Sequence, residues 1–257
     1  MIHIDHVRWR LENFWGYGSL EAPVWFIGME EGLSNGGEQF LTARFAATYT
    51  KVTADIRRDM SEVKDHMIWF EPQNAEPPYR IQTTIKYPIA LYLYLRDGAE
   101  PTKRAISIFQ GEQFGGAETC ALELMPLPSN NTHATAWLYG DYASLKLGTR
   151  AQYLKAFKQV RVEKLRELVS HYRPKLLIFY SKTYLRDWER AAGTELKEVT
   201  KQMFFAQDDH TSYCVIPQGA AFGMSYVRLY EYAKIIQSKI VLNSEPGQPC
   251  GTEDVPQ

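Results

Sequence analysis

Two adjacent carboxylates, Glu30 and Glu31, leave the apolar run of "VWFIGMEEG" (24–32), with Gly28 and Gly32 on either side. A third, Glu123, is embedded in the apolar stretch "CALELMP" (120–126). A carboxylate at the end of a buried strand can stabilise a developing cation or accept a proton from an attacking water. Neighbours on an extended segment point to opposite sides, so at most one of Glu30 and Glu31 is expected to face a reacting centre. The competing reading makes them solvated carboxylates at a helix N-terminus, where the macrodipole favours negative charge. Glu123 would be costly to bury unpaired. It either pairs with an Arg or Lys from the insertion between the first two apolar runs, at about 38–110, or hydrogen-bonds a ligand. Gly28, Gly32, Gly36 and Gly37 allow close backbone approach or positive φ, and an ordinary loop explains them as well.

The elements that must carry these groups are legible as four short apolar runs: 24–28, 120–126, "KLLIFYS" (175–181) and "SYCVIP" (212–217). Helical patterns separate them. "TRAQYLKAFKQVRVEKLRELVSHYRP" (149–174) has apolar residues at helical spacing and closes on proline, and "SYVRLYEYAKIIQSKIV" (225–241) is a second amphipathic helix. Alternating strands and helices predict an α/β fold, a three-layer α/β/α arrangement on a short four-stranded parallel sheet. In such sheets the site lies outside the carboxyl ends of the strands, where Glu30, Glu31, Pro126, Ser181 and Pro217 fall. Residues 1–242 read as a single domain with an elaborated crossover at about 38–110. That crossover holds a polar helix over 42–67, the stretch "EPQNAEPPYR" (71–80) and an apolar helix near "TTIKYPIALYLYLRDG". The Gly- and Pro-containing polar tail 243–257 is expected to be disordered.

Composition excludes several classes. Of 257 residues 45% are hydrophobic and 23% charged, with net charge -1, so overall charge names no partner. No apolar run reaches the ~18–20 residues of a membrane span, and "MIHIDHVRWR" lacks the apolar core of a signal peptide. Cys120, Cys214 and Cys250 have no metal spacing and leave one over, which predicts a reducing cytoplasm. The six histidines are scattered, and neither a metal nor a cofactor is expected. Residues 149–201 hold 13 Lys and Arg against 6 Asp and Glu; this is either a solvated helix face or a phosphate-binding one.

Taken in order, the strand ends resemble the uracil-DNA glycosylase superfamily. "FIGMEEG" is similar to the first motif, Gly-x-(Asn/Asp/Ala/Glu)-Pro-Gly. "ALELMPLPSN" resembles the second motif region, "LLIFYSKTY" the third core strand and its turn, and "CVIPQGAAFGMSY" the last motif with its duplex-entering loop. The resemblance runs from residue 24 to about residue 240. It departs at the polar readers: Glu30 stands where the family most often has a water-positioning Asn or Asp, and Glu31 replaces the proline. Glu123 aligns with a base-reading Asn, while Ile216 and Gln218 occupy the His and Ser positions of His-Pro-Ser.

The resemblance implies a metal-independent, monofunctional DNA glycosylase that flips one modified nucleotide from double- or single-stranded DNA and leaves an abasic site. Glu30 is then the catalytic carboxylate and Glu31 its reserve. Gly28, Met29 and Glu123 would bind the base, with Phe40 or Phe45 stacking on it. Ser181, Lys182, Gln218 and Ser225 would contact DNA, and Phe222 and Met224 would wedge into the stack; the alternative makes Ser225 a helix cap and packs the apolar pair inside. An ionised Glu123 accepts hydrogen bonds and donates none, which favours the exocyclic amine of cytosine and repels uracil O4. Selectivity for hydroxymethylated or glycosylated cytosine of phage DNA, hence antiviral defence, would follow. Arg44, Lys51, Arg57, Arg58, Tyr79 and Arg80 of the crossover would then enlarge the pocket or bind a sugar. The competing classes are a catalytically silent nucleic-acid-binding module and a small-molecule nucleosidase. A monomer is expected.

Overall fold

The computed structural model describes residues 2–33, 38–61, 63, 76–129, 137–219 and 223–239. Eight strands form one mixed sheet: β1 (Gly16–Gly18), β2 (Val24–Gly32), β3 (Thr53–Ala54), β4 (Thr119–Ser129), β5 (Leu176–Tyr180), β6 (Lys197–Thr200), β7 (Met203–Gln207) and β8 (Ser212–Ile216). Their order is β3-β1-β4-β2-β5-β8-β7-β6. The four apolar runs of the sequence are the central strands β4, β2, β5 and β8, all parallel. The sheet is nevertheless twice as wide as the four strands expected. β1 adds antiparallel to β4, β3 parallel to β1, and the β6–β7 hairpin antiparallel to β8.

Helices lie against both faces, which is why the central strands are apolar on consecutive residues. Phe26, Ile178, Cys214 and Ile216 face a core filled by α3 (Lys86–Asp97), α4 (Lys103–Glu112) and α7 (Tyr226–Gln237). The alternate residues Trp25, Ile27, Leu177, Phe179, Tyr213 and Val215 face the other core. That one is closed by α1 (Ile4–Asn13), α2 (Glu38–Thr48), α5 (Arg150–Tyr172) and α6 (Leu185–Ala192). α3 is apolar all round because Tyr87 to Leu95 are all buried. α5 starts on a capping box between Thr149 and Gln152 and ends at Arg173, just before Pro174. Ser225 caps α7 by accepting from the Arg228 amide.

The polar helix expected over 42–67 is not continuous. α2 stops at Thr48, Thr50 takes a positive φ of 65°, and the chain enters β3. Asp55 then accepts from the amides of Arg57 and Arg58, while Asp59 accepts from that of Asp55. Short acidic side chains that bind nearby amides stabilise turns against helix. Residues 62 and 64–67 of that expected helix, and the tail 243–257, lie outside the described residues.

The end of β4 positions the site. Pro126 and Pro128 have no amide hydrogen, and the β2–β4 register shifts there, from Glu30 opposite Met125 to Gly32 opposite Ser129. Side chains complete the backbone bonding where a neighbouring strand does not. Arg161 donates to the carbonyls of Glu123 (3.0 Å) and Leu124 (2.8 Å), Arg10 to that of Pro126 (2.7 Å), and Tyr139 to that of Pro128 (2.9 Å). The Leu127 amide donates to the Tyr153 hydroxyl at 3.1 Å.

Candidate functional site

The rim formed by the carboxyl ends of β2, β4 and β5 brings Glu30, Glu31 and Glu123 close to one another, with Gly28 paired to Glu123 across the ladder. Each carboxyl has a different arrangement. Glu31 accepts from Arg10 at 2.6 Å and from the Tyr17 hydroxyl at 2.6 Å, and Arg44 lies 3.3 Å away. Both arginines are buried to 2% side-chain exposure. The Arg10 guanidinium also bonds Thr48 and sits 4.0 Å from the Phe14 ring centroid. Glu30 is clamped by both terminal nitrogens of Arg150, the first residue of α5.

Among the described residues Glu123 has no such cation at salt-bridge distance. Tyr180, the last residue of β5, donates its hydroxyl to Oε1 at 3.1 Å. Oε2 is shut off from solvent and has no hydrogen-bond partner among the described residues. This carboxyl lies over Gly28: a Cβ placed there would come within 2.4 Å of Oε2 and 2.6 Å of the Tyr180 hydroxyl. Glycine at 28 thus lets both side chains lie close over the strand, with no need of an unusual φ. Burial raises the Glu123 pKa well above the ordinary carboxylate range. The charges of Glu31 and Glu30 add to this against the weaker opposing effects of Tyr180 and Arg10. Burial likewise raises Tyr180, reinforced by Glu123, and Tyr17, reinforced by Glu31.

The other expected site residues divide. Met29 is buried in the core of α1, α2, α5 and α6 instead of lining a base pocket. Phe45 belongs to the same core, stacked near Tyr139 with Arg10 over its ring, and has no free face for a base. Met224 packs in the opposite core beside Leu229, so it is not a wedge. Phe40 is half-buried on α2, as is Gln218 just past β8. Ser181 is buried; its hydroxyl accepts from the Thr183 amide and its carbonyl from the Trp188 indole, which makes it a turn residue. Lys182 is exposed at the same turn, and Ser225 is the helix cap already described. Phe222 lies outside the described residues. In the crossover, Arg44 belongs to the Glu31 cluster, and Arg57 holds the carbonyls of Gly111 and Phe114. Lys51 and Arg58 pair with Asp59, while Tyr79 bonds Glu112 and the Arg80 carbonyl accepts from Gln110.

The basic excess of 149–201 does not form one phosphate-binding face. Arg150 and Arg161 are buried, Arg161 with its guanidinium 3.3 Å from the Trp15 ring centroid and its pKa pushed down to about 9 by burial. Arg166, Arg186 and Arg190 line an open cleft of about 740 Å³ between α5 and α6, where Glu163, Glu189 and Glu195 balance them.

Sequence reasoning missed Arg10, Tyr17, Arg150, Arg161 and Tyr180. One signal was available: Arg10 beside Val7 and Leu11, and Arg161 beside Val162 and Leu165, are cations on the apolar stripe of an amphipathic helix. A cation there must be satisfied from inside the fold.

Among the described residues no three His, Cys, Asp or Glu side chains come together as metal ligands, and no helix is long and apolar enough to cross a membrane. Cys120 and Cys214 are free, buried thiols. No family model matches this chain, and no curated protein matches it either.

Proposed function

We propose that the chain is a monofunctional DNA glycosylase. It everts one modified nucleotide, hydrolyses its N-glycosidic bond with water and leaves an abasic site. The substrate class is a modified pyrimidine, with hydroxymethylated or glycosylated cytosine of phage DNA as the leading case and antiviral defence as the setting. The observation that carries this reading is the meeting of Glu30 and Glu123, from adjacent parallel strands, at the carboxyl rim of the sheet. Glu30 supplies the negative charge beside the oxocarbenium-like sugar, and its lone pairs outside the Arg150 clamp hold the attacking water. Glu31, held by two arginines and a tyrosine, supports the site without touching substrate.

A second reading draws on those same ion pairs. A carboxylate whose oxygens are taken up by arginine has fewer lone pairs left for a water, which favours a nucleic-acid-binding module without turnover. Incubation with a panel of modified DNAs, phage genomes included, followed by alkaline cleavage separates the two. A glycosylase gives strand breaks in the wild type and about 10²–10⁴-fold fewer with Glu30→Gln. A binding module gives none with either protein, and that result refutes the glycosylase.

A further inference from the structure

We infer that Glu123 reads the everted base as a neutral carboxylic acid, offering an O–H donor and a carbonyl acceptor side by side. This rests on the glycosylase reading and changes what the site can select. Tyr180 occupies one lone pair of Oε1, so the proton belongs on Oε2, the oxygen with no partner among the described residues. Facing the group are Glu30 and Glu31 from β2, Tyr180 from β5 and Arg10 from α1. Arg10 is engaged by Glu31, Thr48 and the Pro126 carbonyl, and Arg150 by Glu30. Two neighbouring anions, burial and no ion pair of its own among the described residues all favour the protonated form.

A neutral acid has the hydrogen-bonding face of a side-chain amide: one donor, one acceptor. Once the carboxyl turns out from over Gly28, where Oε2 is shut off from solvent, its O–H can donate to N3 of cytosine while the other oxygen accepts from the exocyclic amine. The same group fits O4 and N3–H of a uracil-type base when its two oxygens exchange donor and acceptor roles, the proton moving to the other oxygen. The repulsion of O4 expected from an ionised glutamate therefore does not operate. Glu123 selects the Watson–Crick edge of pyrimidines as a class, and discrimination among them falls to contacts with the 5-substituent.

Glu123→Gln separates a neutral acid from a carboxylate, because glutamine reproduces the first and abolishes the second. Infrared difference spectra, wild type minus Glu123→Gln, are expected to carry a carboxylic-acid carbonyl band at neutral pH that disappears on alkaline titration. Carboxylate bands in its place overturn the inference. On whichever modified DNA the wild type cleaves, base release by Glu123→Gln is expected to fall less than that by Glu123→Ala and to lose the alkaline decline of the wild type. Glu123→Ala is expected to lose roughly 10- to 100-fold, the discrimination typical of a bidentate base contact. Glu123→Gln falling as far as Glu123→Ala overturns the inference while leaving the glycosylase intact. If the wild type releases no base from any DNA, the glycosylase fails and base reading fails with it; an acid band then marks that failure as distinct from a wrong protonation state.

Discussion

Replacing Glu31 with glutamine tests whether this carboxylate is a structural anion or a reacting one. The substitution keeps the shape and one acceptor oxygen but removes the charge that two buried arginines face, Arg10 at 2.6 Å and Arg44 at 3.3 Å. At an effective dielectric of about 20, one unit pair near 4 Å is worth about 4 kcal/mol before desolvation is counted. Removing one partner of a buried pair destabilises by about 3–5 kcal/mol. The retained amide oxygen can still accept from Arg10 or Tyr17, so the lower end, about 3 kcal/mol, is expected. At about 2–4 °C per kcal/mol for a chain of this size, the melting temperature falls by roughly 6–12 °C. Thermal unfolding at neutral pH, followed by circular dichroism at low and moderate salt, measures it. The loss should change little with salt, since buried charges are poorly screened. An unchanged or raised melting temperature refutes the reasoning. That is the behaviour of a carboxylate held in a strained position for chemistry, whose removal relaxes the fold.

Gly28→Ala must push Glu123 and Tyr180 aside, because the new methyl would lie 2.4 Å and 2.6 Å from their oxygens. A stability loss of about 1–3 kcal/mol in urea titration is expected, and a loss below ~0.5 kcal/mol would show that the carboxyl does not rest there. Asp208 accepts from the amides of His210 and Thr211 and the hydroxyl of Tyr213. Burial works against its charge, but these bonds outweigh it and lower its pKa below the ordinary 3.8. The stability it adds is present above that value and lost as pH falls through the lower folded one. Melting temperature between pH about 5 and 2 should therefore decline less steeply in Asp208→Asn than in the wild type. Identical slopes would contradict this.

The four central strands could be read from the sequence because burial on both faces leaves uninterrupted apolar runs. The edge strands could not. β1 is "GYG", β3 two residues and β6 "KEVT", each held by a neighbour instead of by its own pattern. Gly16 fits only because it has no side chain: a Cβ would meet the Ala121 carbonyl oxygen at 2.1 Å, with φ at 149°. The break of the β2–β4 ladder at "MPLPS" was implicit in its two prolines, but the arginines and tyrosines that satisfy it come from α1, α5 and residue 139. Those partners are 11 to 116 residues distant in sequence. The candidate site divides in the same way. The four central strands and the placing of Glu30 and Glu31 at a strand's carboxyl end followed from local pattern. Which cation each would meet did not, because Arg10 and Arg150 reach the rim only through the packing of α1 and α5.

Three carboxyls on adjacent strands, two of them neighbours in sequence, repel one another strongly if all are ionised in a site largely shut off from water. The fold resolves this in two ways. Glu31 and Glu30 each receive arginine: Arg10 and Arg44 for the first, Arg150 for the second. Glu123, whose hydrogen-bond partner among the described residues is a tyrosine hydroxyl, has its pKa raised by burial, which favours the protonated form. The assignment follows from where the cations can arrive. Arg10 enters from α1 and Arg150 from the first turn of α5, both on helices that close the core holding Trp25 and Ile27. Glu123 sits over Gly28 beside Tyr180, on the face of α3, α4 and α7. Polarity at the rim is thus graded across the sheet, with fixed ion pairs toward one helical layer and an uncharged donor–acceptor face toward the other. A neutral, ring-shaped hydrogen-bonding group is better matched to the second face.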